Sequence, residues 1–328
     1  MPRYLDPIMI GSLSLKNRIV MPPMATELAT TEGEVTSALV KHYMQRAKGL
    51  GLLIVEHSYV ARGGKLSHHQ LGIYSDKLIA GLTRLADRIR AVGTPIAIQI
   101  NHAGRQANSK VCGAQPVGPS AIPHSNEFEI PRELDKDEVE GLVEAFSSAA
   151  QRAVEAGFDA VEVHGAHGFL LNQFMSPLSN KRNDEYGGKL ENRMRFPLKI
   201  IARIKEKIGN FPLLYRLGAD DMQPGGLTLD ESKVFAQELV KAGVHAIDVS
   251  GGMIGSRPAK LKGIGYFVPL AEAIKEVVDV PVIGVGRIRT PEFADEVIRK
   301  NRADLVAVGR AILADPKWAL KAIEALRK

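Results

Sequence analysis

The sequence predicts an α/β protein, a single (β/α)8 TIM barrel, and three observations carry that expectation. Eight short apolar runs alternate with eight longer stretches of helical spacing. The short runs are almost continuously apolar, as strands buried on both faces of a parallel sheet must be. Each run ends in glycine or in polar residues, and in such a barrel those ends gather at one mouth. A doubly wound open sheet usually has fewer strands, and no Gly-x-Gly-x-x-Gly opens the first helix.

The elements follow in order. Pro7–Leu15 alternates around Gly11-Ser12 and reads as a small hairpin covering the barrel floor. Strands are expected at Arg18–Pro22, Gly51–Glu56, Pro95–Asn101, Ala160–His164, Pro212–Leu217, Ala246–Ser250, Pro281–Val285 and Asp304–Val308. Helices are expected at Ser37–Lys48, Asp76–Val92, Lys136–Ala156, Leu190–Ile208, Thr228–Ala242, Val268–Val277, Thr290–Arg299 and Pro316–Leu326. Asp76 stands where it can cap the second helix, and Thr290-Pro291 starts the seventh. Gly93, Gly157 and Gly243 stand where helices end in a left-handed residue. One connection after strand 3, His102 to Asp135, is unusually long, and loops of that length are commonly functional. No composition break divides the chain, so residues 1–328 read as one domain.

Composition narrows the function classes. With 45% hydrophobic and 24% charged residues, the 328-residue chain is neither fibrous nor disordered. No apolar run approaches the roughly 20 residues that a membrane-spanning helix needs. The first ten residues carry no apolar signal region, and a cytoplasmic location is expected. A single cysteine, Cys112, excludes an intrachain disulfide and any multi-cysteine metal centre. The net charge of +6 reads either as a solubility surplus or as a welcome for a phosphate-bearing ligand. The basic residues are dispersed among Asp and Glu, so no nucleic-acid partner is expected.

The chemistry should sit at the strand ends. The turns after strands seven and eight, Gly284-Val285-Gly286-Arg287 and Gly309-Arg310, have the form that binds a phosphate through backbone N–H groups. Gln99 offers an amide to a heteroaromatic edge, and Arg216 offers a fixed cation that can stabilise a reduced flavin. A satisfied interior amide and a structural ion pair are the plainer readings of these two. His164 and His167 form a His-x-x-His, but zinc needs a third protein ligand, and no metal is expected. Two imidazoles at one strand end can instead donate to a single substrate oxygen.

Several segments together resemble the old yellow enzyme family of FMN-dependent oxidoreductases. They are Asn17–Met24, Gln99–Arg105, Val163–Phe174, Ser176–Gly188 with Glu191–Phe196, and the two glycine turns. The resemblance runs nearly the whole length of the chain. It implies a barrel that holds FMN and takes reducing equivalents from NADH or NADPH. It implies hydride transfer to an activated alkene, an α,β-unsaturated carbonyl or similar small molecule. By position, Pro23, Met24, Ala25, His57, Gln99, Arg216, Val285, Gly286, Gly309 and Arg310 would hold the cofactor. His164 and His167 would grip the substrate oxygen, beside Phe169. Relatives are often dimers or tetramers, so a homo-oligomer is among the expectations.

This chain departs from the family pattern. Phe169 stands where members usually carry the tyrosine that donates a proton to the substrate α-carbon. Ala25 replaces a Thr or Cys that tunes the flavin, and His57 stands where a small residue is common. The donor is left open between water, Tyr43, Tyr59, Tyr266 and His57. Two other readings stand beside alkene reduction. One is a flavin-linked dehydrogenase, desaturase or oxidase running the opposite way. The other is a non-redox phosphate-binding barrel. Thr26, Glu27, Tyr59, Tyr266 and the His102–Asp135 loop are expected to set the width of the pocket.

Overall fold

The computed structural model describes residues 3–327. Its strands are β1 Ile8–Ile10, β2 Leu13–Leu15, β3 Ile19–Met21, β4 Leu52–Tyr59, β5 Ile96–Asn101 and β6 Val117–Gly118. They continue with β7 Arg132–Glu133, β8 Ala160–Gly165, β9 Leu213–Gly218, β10 Ala246–Ser250, β11 Val282–Gly284 and β12 Leu305–Ala307. Strands β3, β4, β5, β8, β9, β10, β11 and β12 pair in that order and close back on β3 as a barrel. Every barrel pairing is parallel. The open-sheet alternative is therefore excluded.

Alternation along the strands fills the lumen in layers. Val20, Leu52, Ile54, Ala97, Ala160, Leu214, Ala246 and Ile283 form an apolar floor. The β1–β2 hairpin closes that floor by adding Ile10 and Leu15 to the cluster. Two residues further along the same strands, the inward positions turn polar: Gln99 and Glu162, then Arg216 and Asp248. The outward residues pack against the surrounding helices, as Leu53, Val55, Ile98, Val161 and Ile247 do.

One strand breaks the alternation. Leu52 and Ile54 point to the floor and Leu53 and Val55 to the helices, so Glu56 should point inward and His57 outward. The register of β4 against β5 slips between Val55 and Ser58. That bulge re-aims both side chains. Glu56 turns to the helix Ser37–Ala47, where its N–H donates to Tyr43 Oη at 2.9 Å and the Tyr43 hydroxyl donates to its Oε2 at 3.1 Å. His57 turns into the cavity at the mouth.

Most boundaries agree with expectation to within one or two residues; the differences have local causes. Asp76 does not cap the second helix. It lies inside a 3-10 turn, Asp76–Leu78, that precedes Ile79–Arg90, and its carboxylate accepts from Arg152 Nε at 2.7 Å. Thr290 does cap its helix, accepting from Phe293 N–H with Pro291 in the first turn. Gly93, Gly157 and Gly243 end helices at φ of +74°, +80° and +100°. The connection from His102 to Asp135 carries structure of its own: a 3-10 turn at Gly104–Gln106, a short helix at Ser109–Cys112, and the β6–β7 pair. No helix among the described residues is long and apolar enough to cross a membrane.

Burial pushes the Glu56 carboxyl up to about 7, against the opposing hydrogen bonds from Thr26 and Tyr43. A raised folded-state value means that its contribution is full below the ordinary value of 4.5 and is lost as pH rises through about 7. The gap corresponds to about 3 kcal/mol. Wild-type thermal stability should therefore fall between pH 5 and 8 relative to Glu56→Gln. Parallel melting curves for the two proteins across that range would contradict this assignment.

Candidate active site

The C-terminal mouth of the barrel encloses a cavity of about 480 Å³. This is the size of a pocket for a cofactor-sized ligand. All thirteen residues singled out for cofactor and substrate line it: Pro23, Met24, Ala25, His57, Gln99, His164, His167, Phe169, Arg216, Val285, Gly286, Gly309 and Arg310. Of the groups expected to set its width, Tyr266 and the His102–Asp135 loop line the cavity, the loop through Gln106 and His124; Thr26, Glu27 and Tyr59 do not. Glu27 is turned toward Ser67 and His69, and Tyr59 is stacked on Tyr74 with a centroid distance of 5.0 Å.

One end of the cavity gathers guanidinium groups and a helix N-terminus. Gly309 caps the short helix Arg310–Ala314, so the free N–H groups of that helix open on the lining. Gly286 has φ +121°, and a Cβ there would stand 2.8 Å from the backbone nitrogen of Phe267. Only glycine permits so close an approach. Arg310 donates to Tyr266 Oη at 3.3 Å and has no carboxylate partner among the described residues. Arg216, Arg257, Arg287, Arg289 and Arg310 line the cavity, and no carboxylate does among the described residues.

The floor of the cavity is a buried polar layer. Arg216 Nε is 3.3 Å from Asp248 Oδ2, and Gln99 donates its amide to Glu162 Oε1 at 3.4 Å. Burial raises both carboxyls, and Asp248 raises Glu162 further. The Arg216 charge opposes the shift in both.

At the other end three imidazoles converge. His164 and His167 stand perpendicular with ring centroids 5.0 Å apart, and His57 lies 6.4 Å from His164. Phe169 packs 5.5 Å from His57 and 4.9 Å from His164. The His164 Nδ1 accepts the Ala166 N–H at 3.3 Å, which leaves the ring proton on Nε2. The His167 Nε2 is 2.7 Å from Ser250 Oγ; when the serine donates, the ring proton sits on Nδ1. Burial holds both imidazoles well below their ordinary range, and the Arg216 charge adds to it. Burial likewise lowers His57 to about 4.

The residues present fit FMN. An unpaired Arg310 and an open helix N-terminus suit its phosphate, and Arg216 with Gln99 suits a polar ring edge. A (β/α)8 barrel with such a mouth suits the class of flavin-dependent oxidoreductases. The description NADH:flavin oxidoreductase / NADH oxidase family matches residues 4–328. The chain is similar to an NADH oxidase of Thermoanaerobacter brockii, 49% identical over 96% of this chain and 50% of that one. It is 43% identical to an NADPH dehydrogenase of Geobacillus sp. (strain WCH70), over 98% of this chain and 94% of that one. It also resembles the solved structure of an old yellow enzyme homologue from Zymomonas mobilis, with 28% identity, a TM-score of 0.87, and coverage of 99% of this chain and 93% of that one. The chain thus spans half the length of the Thermoanaerobacter relative and nearly all of the Geobacillus one. The chain belongs to the NADH:flavin oxidoreductase / NADH oxidase family. Its members are FMN-binding, NAD(P)H-dependent oxidoreductases of the old yellow enzyme type, which removes the non-redox barrel reading.

Sequence reasoning missed several lining residues. Gln106 and His124 were not singled out within the long connection, which was expected to border the pocket as a whole, and Met253 and Ile254 come from the loop after β10. The Ser176–Gly188 segment proves to be a clamp for that connection. Arg182, paired with Asp184 at 2.6 Å, donates to the carbonyls of Pro119 and Leu134 at 3.2 and 2.5 Å. Glu162 and Asp248 carried a signal, single acids inside otherwise apolar strands.

The imidazoles of His57, His164 and His167 should stay neutral at pH 6, where an exposed one is mostly charged. Imidazole ¹⁵N spectra between pH 5 and 8 check this, and a His57, His164 or His167 that titrates near 6.5 would contradict it.

Proposed function

We propose that the protein is an ene-reductase: it oxidises NADH or NADPH and reduces an activated alkene, an α,β-unsaturated carbonyl or similar small molecule. The observation that carries this reading is the His164–His167 pair, two neutral rings at right angles over one end of the cavity. FMN, when bound, supplies the hydride carrier between nicotinamide and alkene. In this reading Val285, Gly286, Gly309 and Arg310 bind the phosphate through N–H groups and one guanidinium. Gln99 and Arg216 meet the polar ring edge, and Pro23, Met24 and Ala25 flank the ring.

His164 and His167 each present one N–H to the substrate oxygen. As hydride reaches the β-carbon, that oxygen gains negative charge, and donors fixed in advance stabilise it without reorganising. Their neutrality suits this work, because a charged ring would bind the ground-state anion of any carboxylate as well. Phe169 contributes an apolar wall that excludes water from the reacting carbons. The chain's own partners would be this small substrate and the nicotinamide, with no nucleic acid.

Anaerobic mixing of the NADPH- or NADH-reduced protein with 2-cyclohexenone and N-methylmaleimide tests the reading. Reoxidation by an alkene supports it; a reduced protein that no alkene reoxidises overturns it. Two variants sharpen the assignment. Arg310→Ala should lose FMN during purification, and full retention would contradict the phosphate site. His164→Ala should slow alkene reduction by about 2–4 kcal/mol of transition-state stabilisation. That loss should exceed any change in reduction by NADPH, and an equal loss in both would assign His164 to holding the flavin.

A further inference from the structure

We propose that His57 is the catalytic acid of this site, delivering from its Nε2 the proton that the α-carbon takes up. The inference rests on the ene-reductase reading, which requires a proton for every hydride and finds at Phe169 a ring that cannot donate.

The other candidates are occupied elsewhere. The Tyr43 hydroxyl is fully buried against Glu56, on the helix side of β4. Tyr59 is buried and does not line the cavity. Tyr266 does line it, but at the phosphate end: its hydroxyl donates to Ser256 O at 2.9 Å and accepts from Arg310. His57 stands at the imidazole end, 5.5 Å from Phe169 and 6.4 Å from His164. The β4 bulge put it there.

The ring is also oriented and its tautomer fixed. Gln70 Oε1 accepts the Leu66 N–H at 2.7 Å, so its Nε2 is a donor by elimination. That Nε2 donates to His57 O at 3.0 Å and lies 2.7 Å from His57 Nδ1. Nδ1 therefore accepts, and the proton is on Nε2. Nε2 has no hydrogen-bond partner among the described residues, and the ring lines the cavity.

The atoms and electrons balance. Hydride adds to the β-carbon, and the alkene electrons move to the carbonyl oxygen, held by His164 and His167. Those electrons then return to re-form the carbonyl. A C–H bond forms at the α-carbon as the His57 Nε2–H bond breaks, and its electron pair stays on the ring. The Gln70 amide on Nδ1 and the Arg216 charge hold that pair until water reprotonates Nε2. A neutral imidazole is a weak acid, but an enolate carbon is the stronger base, so the transfer runs downhill.

The experiment uses the reduced FMN-loaded protein, 2-methylcyclohex-2-enone, and stopped-flow and chiral product analysis. His57→Phe keeps the ring shape and removes the donor. It should slow reoxidation about 10²–10⁴-fold and scramble the configuration at the α-carbon. Adding Phe169→Tyr to it should restore rate and a single enantiomer. Wild-type rate and configuration in His57→Phe would overturn the proposal while leaving alkene reduction standing. A wild-type protein that neither this enone nor N-methylmaleimide reoxidises overturns both readings. Should His57→Phe fail to fold, Gln70→Leu keeps the imidazole and frees its tautomer. The ¹⁵N spectrum should then show the His57 proton shared between both nitrogens, and enantiomeric excess should fall; an unchanged spectrum and an unchanged excess would overturn the proposal.

Discussion

Closing eight parallel strands leaves a lumen that side chains must fill, and the Arg216–Asp248 pair at 3.3 Å is where that filling turns from apolar to charged. A guanidinium in this position is tolerable only with its counter-charge on the neighbouring strand. The β9–β10 register supplies it by setting Arg216 opposite Asp248. The same registers place Gln99 beside Glu162 and His164 beside Arg216. Below this layer the lumen is apolar and sealed by the hairpin; above it lies the cavity. The ion pair thus marks the level at which the barrel stops being a core and becomes a site. It also sets the field that the imidazoles feel, since Arg216 adds to burial in keeping all three uncharged.

Neutral rings need their tautomers chosen, and the choice is made by groups with no freedom to move. A backbone N–H of the β8 turn settles His164, and an amide locked by two backbone contacts settles His57. His167 sits at φ +59°, a conformation histidine adopts more readily than most residues, and that turn brings its ring against Ser250. The resulting donors are pre-set before any ligand arrives, so their orientation costs little at the moment of reaction.

The strand and helix pattern was legible because burial on both faces leaves no other arrangement for short Val- and Ile-rich runs. Gln99, Arg216, His164 and the glycine turns were legible because polar residues at the ends of such runs have one place to go. His57 was only half legible. Its strand seemed to stop at Glu56, and simple alternation pointed the wrong way; the bulge depends on pairing with β5, which is a property of two strands rather than one. Gln106 and His124 were hidden for a related reason. Their loop has no periodicity, and its course is set by Arg182 contacts made from more than forty residues away in sequence. Asp76 shows the converse failure, a local capping signal overruled when the chain enters the helix through a 3-10 turn.

The segment after β10 ties the two ends of the cavity together. Gly251 O accepts the His167 N–H at 3.1 Å, and Met253 N–H donates to Asp221 at 2.7 Å. Asp221 is itself bonded to Ser176 at 2.5 Å, within the motif that clamps the long connection. Further on, Tyr266 joins Ser256 to Arg310. An anion bound at Arg310 would therefore pull on the same stretch of chain that positions His167. The route is short and made of hydrogen bonds to fixed groups. The Arg310 end and the imidazole end thus share one hydrogen-bonded scaffold, which is why the rings are held in place before any ligand arrives.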